Sequence, residues 1–298
     1  MGKYDLTTED INKNIDRFLT YIYGSAISSK NPQIFFVVAG PGAGKSGVET
    51  FLKHQLKEKG EKVAVVNSDK IAEFHPAYED ALAELLSEER YRVTRQFVRP
   101  ATPVIFQELQ KHKINILNEN IFNKGESDIE FVKSFKKAGY RTSVNMIATD
   151  IFTNRLSCYE REARALENGD SPRGISKRSH DKMYNAFVEE IQQLESQNLC
   201  DEINVYVRGK SINKPKLVYQ LGDTRYQNFV DALNTERTKQ RREIFSNPAD
   251  YLMRIKKTKE SIQTNGINPI LTEDSLKGLQ ELQNDFIQEL NNEKHRYR

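Results

Sequence analysis

The chain has 298 residues, 37% of them hydrophobic, and its 45 Lys and Arg exceed its 42 Asp and Glu to give a net charge of +3. This length allows one large domain with an appendage or two small domains, and so mild a charge does not by itself indicate a nucleic-acid partner. The two cysteines and five histidines are scattered, which argues against a disulfide framework and a zinc site. With a polar N-terminus and no apolar run of membrane-spanning length, the sequence predicts a cytoplasmic protein.

Helical and strand patterns alternate through the first half of the chain. Short apolar runs predict four buried strands, at 34–38, 62–66, 114–118 and 141–148. Helical spacing predicts one helix before the first strand, at 6–23, and others between the strands, at 47–59, 76–97 and 132–138. Pro100 and Pro103 are expected to interrupt the third of these before a further helix reaches about residue 112. This alternation predicts the α/β class, with a mostly parallel sheet flanked by helices.

The second half becomes helical. Charged helices are expected over 150–168 and 176–198, with a turn-rich insert at 170–174 between them. Two further strands, at 203–207 and 217–221, would close the sheet as a hairpin. Beyond these the strand pattern stops, and apolar residues at helical spacing predict a helical extension. We therefore expect two parts, 1–225 and 226–298.

The stretch 39–46 has the pattern of a phosphate-binding loop, Ala-Gly-Pro-Gly-Ala-Gly-Lys-Ser, between a buried strand and a helix. Ala39 takes the place of the usual first glycine. In such loops backbone N–H groups and the helix dipole converge on phosphate, while Lys45 would reach the β- and γ-phosphates and Ser46 would coordinate Mg²⁺. The pattern predicts a bound nucleoside triphosphate, contacted by Gly40, Pro41, Gly42, Ala43, Gly44, Lys45, Ser46 and Gly47.

A phosphate loop alone does not separate kinases from GTPases or motor ATPases. The GTPase motif Asn-Lys-x-Asp is absent, and the third strand runs into Asn118-Glu119 instead of the Asp-Glu typical of motors. Asp69 follows the second strand, at the sheet edge where ligands bind. It is either the base for phosphoryl transfer to an alcohol or the N-cap of the next helix, and the local sequence favours neither.

Arginines in and after the helix at 150–168 are candidates for a lid that neutralises a transferring phosphoryl group: Arg161, Arg164 and Arg173. A charged helix is more often simply a solvated face, so this pattern alone is not specific.

Several spaced motifs over about residues 32–221 together resemble the zeta toxin family. They are the phosphate loop, Asp69 followed by His75-Pro76, Glu119, Glu160-Arg161, Arg173 followed by Ser179-His180-Asp181, and the closing hairpin. The resemblance implies a kinase of a toxin–antitoxin system. Such kinases use ATP or GTP with Mg²⁺ to phosphorylate a hydroxyl of UDP-N-acetylglucosamine, and an antitoxin acting in trans covers the nucleotide site.

Carried over by position, the resemblance makes Asp69 the general base, and Arg161 and Arg173 γ-phosphate contacts beside Lys45. It makes His75 a structural turn residue. The family usually has a Thr and an Arg where this chain has Ile121 and Asn123, which puts the acceptor in question. Ile121 and Phe122 would either stack on a base or close the pocket differently. The expected acceptor-binding residues are Glu119, Asn120, Asn123 and Lys124.

Two alternatives stay open. The same chemistry could act on another nucleotide or small-molecule acceptor. A different class of function, a nucleotide-dependent nucleic-acid-binding protein, would use the basic residues between 237 and 259. Acidic residues interleave with these, so a solvated helix is favoured over a nucleic-acid surface.

Overall fold

The computed structural model describes residues 2–24, 28–85, 87–170, 175–209 and 214–296, apart from the side chains at 87–88 and 294–296. These residues form one six-stranded sheet in the order β2-β3-β1-β4-β5-β6. The strands are β1 (Gln33–Val38), β2 (Ala64–Val66), β3 (Ile116–Asn120), β4 (Arg141–Ala148), β5 (Glu202–Val207) and β6 (Lys216–Gln220). The first five are parallel and β6 is antiparallel to β5, which confirms the expected mostly parallel sheet and closing hairpin.

Twelve helices flank the sheet in the described ranges. They are α1 (Thr8–Tyr23), α2 (Lys45–Glu58), α3 (Ser68–Ala72), α4 (Tyr78–Glu84), α5 (Ser87–Lys111), α6 (Glu126–Lys137), α7 (Ile151–Glu167), α8 (Lys177–Tyr184), α9 (Phe187–Ser196), α10 (Phe229–Ser246), α11 (Pro248–Asn265) and α12 (Pro269–Arg296). Within the ranges that the structure covers, no helix is long and apolar enough to cross a membrane.

The expected break at the two prolines is wrong, because α5 runs through both Pro100 and Pro103. The helix buries Phe97, Ala101 and Ile105 completely along one face. An interior proline costs a helix about 3 kcal/mol. Burying a large side chain yields about 1.5–3 kcal/mol, and with Phe106 and Leu109 the helix buries four of them, which together offset the cost of the two prolines.

The single helix expected over 176–198 is instead two, α8 and α9. Tyr184, at the end of α8, donates a hydrogen bond to the carbonyl of Thr149 (2.7 Å) beside the phosphate loop. Phe187, at the start of α9, is buried in the core on one face of the sheet. Tyr184 is held beside the phosphate loop and Phe187 in the core, and the helix is interrupted between them.

Side chains alternate across the central strand. Ile34, Phe36 and Val38 face a large core that includes α1, α5, α6, α9 and the start of α10. Phe35 and Val37 face a smaller core under α2. A third cluster joins α7 to α11 and α12, so the last two helices pack on α7. The strand β1 thus delivers its loop, at residues 39–44, into the middle of the carboxyl edge.

Candidate functional site

The loop after β1 has the backbone shape that phosphate binding requires. Gly44 is the N-cap of α2 with φ of 97°, and Gly42 has φ of 78°, conformations that glycine adopts without strain. A Cβ on Gly42 would lie 2.3 Å from the carbonyl oxygen of Asn154 and 2.7 Å from Sγ of Cys158, so α7 leaves space only for glycine. The tight turn leads directly into a helix N-terminus, where anions bind.

Lys45 is held against the loop itself. Its Nζ donates to the carbonyl oxygens of Ala39 (3.0 Å) and Gly40 (3.1 Å), and it lies 3.5 Å from Oε1 of Glu119. Burial lowers the pKa of the ammonium, while Glu119 acts in the opposite direction. The cation expected on the phosphates is therefore positioned over the loop and paired with a carboxylate.

Glu119 lies in β3, because that strand runs to Asn120 and does not end at residue 118 as expected. Its register partner is Val37 of β1, which brings its carboxylate next to the phosphate loop. Burial raises the pKa of the Glu49 carboxyl on α2; the charge of Lys53 opposes this rise, and the charge of Glu119 adds to it. Glu119, which pairs with Lys45, thus has a second carboxylate within electrostatic range at the carboxyl edge of the sheet.

Asp69 is not a helix cap. Asn67 is the N-cap of α3, its side chain accepting from the backbone N–H of Lys70 (2.7 Å), and Asp69 is the second residue of that helix, exposed to solvent. The amide of Asn118 donates to the carbonyl of Val66 (2.7 Å), so the ends of β2 and β3 are joined. Asp69, just after β2, and Glu119, near the end of β3, therefore lie at the carboxyl ends of neighbouring strands, at the same edge of the sheet.

The stretch after Glu119 is a tight turn. The Asn120 side chain accepts from the backbone N–H groups of Ile121 (2.7 Å) and Phe122 (3.2 Å). Phe122 is fully buried, edge-on to Phe36 at 5.2 Å between ring centroids, so the suggestion that it stacks on a base is wrong. A large apolar side chain at this turn joins the core, whereas Asn123 and Lys124, which are expected to bind the acceptor, are exposed.

The three candidate lid arginines have different outcomes, and Arg164 is exposed on α7. Arg161 lies on α7, and its charge contributes to lowering the pKa of Lys45 and opposes the burial that raises the pKa of Cys158. Arg161 is therefore electrostatically coupled to the phosphate loop. Arg173 lies outside the described residues, so its expected role stays a prediction.

Arg161 also lines a cavity of about 870 Å³. Its walls come from α4, the start of α5, the second half of α7 and the connection between α11 and α12. Polar side chains of several kinds line it, including Tyr78, Glu79, Arg90, Asp170, Asn268 and Thr272. The cavity is large enough for a nucleotide-sized molecule.

Arg208 is a loop-binding residue that the sequence analysis missed. It follows β5 directly, and its guanidinium donates to the carbonyls of Gly42 and Ala43 (3.1 Å for Nε to Ala43) and to Oγ of Ser157 (3.0 Å). Burial lowers the pKa of this guanidinium. The signal that was available is its position, since polar residues just after parallel strands gather at the ligand-binding edge.

The Ser179-His180-Asp181 motif supports the loop from the other side. Nε2 of His180 is 3.0 Å from Oδ1 of Asn154, and Nδ1 is 3.0 Å from Oδ1 of Asp181. Asp181 in turn pairs with Arg155 of α7 (2.9 Å from Nε). This buried network fixes α8 to α7, and α8 approaches the loop so closely that a Cβ on Gly40 would be 3.2 Å from Cα of Tyr184.

His75 is also buried and structural in its contacts. Its Nδ1 accepts from the backbone N–H of Ala77 (3.1 Å), and its ring lies edge-on to Phe97. Burial lowers the pKa of the imidazole, so the neutral form is favoured. These contacts fit a turn between α3 and α4.

Comparisons with known structures support this fold at low sequence identity. A structure from the PezAT chromosomal toxin–antitoxin system of the human pathogen Streptococcus pneumoniae aligns with a TM-score of 0.61 and 18% identity, covering 95% of this chain and 99% of that one. The AvrRxo1-ORF1:AvrRxo1-ORF2 complex aligns in its native form (TM-score 0.55, 12% identity, 91% of this chain and 83% of that one) and with ATP (0.53, 11%, 95% and 92%). A search of curated proteins found no match to the sequence.

The comparison with protein families supplies the assignment. The zeta toxin model matches residues 20–214, well over half of the chain, and includes the phosphate loop, Asp69, Glu119 and Arg161. The architecture agrees, since the sheet and the flanking helices are those of its structural neighbours. This chain belongs to the zeta toxin family.

Proposed function

We propose that this protein is a kinase that transfers the γ-phosphoryl group of ATP or GTP to a hydroxyl of UDP-N-acetylglucosamine or a related sugar nucleotide. The observation that carries the proposal is the position of Arg161. It is coupled to Lys45 of the phosphate loop and also lines the large cavity. A cationic side chain at this position would neutralise charge on the transferring group at the boundary between the donor site and the cavity.

Each charged residue has a role in this proposal. Asp69 accepts the proton of the acceptor hydroxyl as its oxygen attacks the γ-phosphorus, and the bond to the β-phosphate oxygen breaks to release the nucleoside diphosphate. Lys45 and Arg161 neutralise the charge that spreads over the transferring group. Arg173 is proposed to join them.

Magnesium fits the donors present. Mg²⁺ usually binds one or two protein oxygens together with nucleotide phosphates and water. Ser46, at the start of α2, and Glu119, beside Lys45, are oxygen donors of this kind. Across the described ranges no group of three or more His, Cys, Asp or Glu could hold a metal alone, so the nucleotide would complete the site. When bound, the ion would neutralise phosphate charge.

The cavity is the proposed acceptor compartment. Arg90 and Arg161 offer positive charge for a diphosphate, and Asn268 and Thr272 offer hydrogen bonds for sugar hydroxyls. Glu119, Asn123 and Lys124 remain proposed contacts on the sheet side. Asn120 has its side-chain oxygen engaged by two backbone N–H groups, which leaves its NH₂ group for an acceptor.

The function is tested by incubating the protein with Mg²⁺, γ-labelled ATP and UDP-N-acetylglucosamine. We expect labelled sugar nucleotide from the wild type. Asp69→Asn should bind ATP normally and lower kcat by about 10²-fold or more, since general-base catalysis contributes about 10²–10⁴-fold. Near-normal turnover by Asp69→Asn would rule out the base assignment. ATP binding without labelled product would rule out this acceptor, and a screen of metabolite extracts would then identify another.

An antitoxin acting in trans is part of the proposal, because the structural neighbours come from a toxin–antitoxin system and from a two-protein complex. A protein that covers the nucleotide site should abolish ATP binding by the complex. Unchanged ATP affinity in the complex would exclude this mode of inhibition.

A further inference from the structure

The last two helices, α11 and α12, contact α7 through polar side chains as well as through the shared apolar cluster. Arg254 of α11 binds both carboxylate oxygens of Glu160 (2.9 and 3.0 Å). Ser275 of α12 donates to the buried carboxylate of Glu162 (2.5 Å). Bidentate arginine–carboxylate pairs are geometrically specific, so these contacts define how α7 is oriented.

The two carboxylates bound by α11 and α12 flank Arg161. Glu160 and Glu162 stand directly before and after Arg161 in the chain. One is held by α11 and the other by α12, on either side of the arginine that is coupled to the phosphate loop. Burial raises the pKa of Glu162, and the Ser275 hydroxyl opposes that rise. Loss of the Arg254–Glu160 or the Ser275–Glu162 bond would remove the support of a residue next to Arg161.

A second link joins α12 to both helices next to the phosphate loop. Asp285 accepts from Arg155 of α7 (3.1 Å) and from Lys177 at the start of α8 (2.6 Å). The same Arg155 binds Asp181, which holds His180 of the loop-supporting network. Contacts from α12 therefore continue through α7 and α8 to the back of the loop.

We propose that α11 and α12 position Arg161 for the γ-phosphate, with Arg254 and Ser275 as positioning residues. This rests on the proposed function only in taking Arg161 as a γ-phosphate contact. The helices lie beyond residue 214, where the match to the family model ends. In-line transfer depends on donor groups held to within a fraction of an ångström, so a shift of α7 acts on catalysis at a distance.

The first test is the preference of the protein for ATP over ADP, measured by calorimetry with Mg²⁺. Arg161→Ala should reduce this preference about tenfold or more, because a charge-assisted bond to the γ-phosphate is lost. Arg254→Met keeps the aliphatic stem and should reduce it about two- to threefold or more, within the range for coupled residues. The control is Lys256→Met, which removes a charge from an exposed position of the same helix and should change nothing.

The decisive comparison repeats Arg254→Met in the Arg161→Ala background. If Arg254 acts through Arg161, the second substitution has no further effect on the ATP preference. A loss of equal size in both backgrounds, or no loss in the first, would overturn the proposal, as would an Arg161→Ala variant with wild-type preference. Ser275→Ala gives the same test with a smaller change if Arg254→Met does not fold.

These binding measurements need no acceptor, so they separate this inference from the proposed function. Absence of product with UDP-N-acetylglucosamine would refute the acceptor and leave the ATP preference as the test of the positioning. Where transfer is measurable, Arg254→Met should lower kcat with little change in the KM for the acceptor. A change confined to KM would contradict positioning at the γ-phosphate.

Discussion

The carbonyl oxygens of the phosphate loop are bound from outside by three side chains. Lys45 binds those of Ala39 and Gly40, while Arg208 and the Thr149 hydroxyl (3.0 Å) bind that of Ala43. Carbonyl groups satisfied in this way leave the loop's N–H groups for an anion. The preorganised loop therefore depends on the residues that directly follow β4 and β5, and on Lys45 of α2, as much as on its glycines.

Substitution of a single loop glycine, Gly42→Ala, should abolish tight ATP binding. Its added Cβ would meet the backbone oxygen of Asn154 at 2.3 Å, and backbone of a packed helix cannot move cheaply, so the loop must shift. The matched control is Gly60→Ala, which has a similar φ of 73° but no atom within 4 Å. Both variants carry backbone strain of about 1–2 kcal/mol. Equal losses of ATP affinity, measured by calorimetry, would contradict this explanation.

Hydrophobic periodicity and turn residues were enough to predict the helices and strands that depend on local sequence. The helix expected at 6–23 and the strand expected at 141–148 appear as α1 and β4, since short-range patterns determine them. The course of α5 through its prolines, and the burial of Phe122, could not be predicted because packing against distant elements decides both. The N-cap of α3 is Asn67, which makes Asp69 the second residue of that helix, and the sequence alone does not distinguish between these neighbouring polar residues.

The prolines of α5 allow a prediction at the scale of this helix. Pro103 is exposed and inside a continuous helix, so Pro103→Ala should restore a backbone hydrogen bond and raise the free energy of unfolding by about 1–3 kcal/mol. Arg99→Ala, at another exposed position of α5, should stay within about 0.5 kcal/mol of wild type. Chemical denaturation measures both. A destabilised Pro103→Ala variant would show that the core requires the bend that proline imposes.

The distribution of charge in the C-terminal helices bears on whether the whole molecule binds nucleic acid. Several of their arginines are engaged within the protein: Arg237 lies over the Tyr184 ring at 4.3 Å, Arg241 pairs with Asp150 and Arg254 pairs with Glu160. Charges paired in this way are less available to a phosphate backbone. The segment that suggested a nucleic-acid surface instead binds the helices around the phosphate loop, which favours the kinase proposal over the nucleic-acid alternative.

Burial of two histidines predicts how the stability of the whole molecule depends on pH. Burial lowers the pKa of His75 and His180 from the ordinary value of 6.5, with Asp181 partly opposing the shift at His180. As pH falls below about 6.5, the unfolded chain takes up protons that the native state does not, so the free energy of unfolding declines. Each histidine should contribute a loss of up to about 1 kcal/mol between pH 6.5 and 5.5.

The comparison that isolates this contribution uses His180→Gln, which removes one titrating group. The raised pKa values of Glu49 and Glu162 act in the opposite direction as pH approaches 4.5, but they are present in both proteins and cancel. Chemical denaturation at pH 7.5, 6.5 and 5.5 should show the wild type losing up to about 1 kcal/mol more than the variant. Parallel pH profiles would mean that the native state protonates His180 as readily as the unfolded chain does, and the network from Asn154 to Asp181 would then hold an imidazolium.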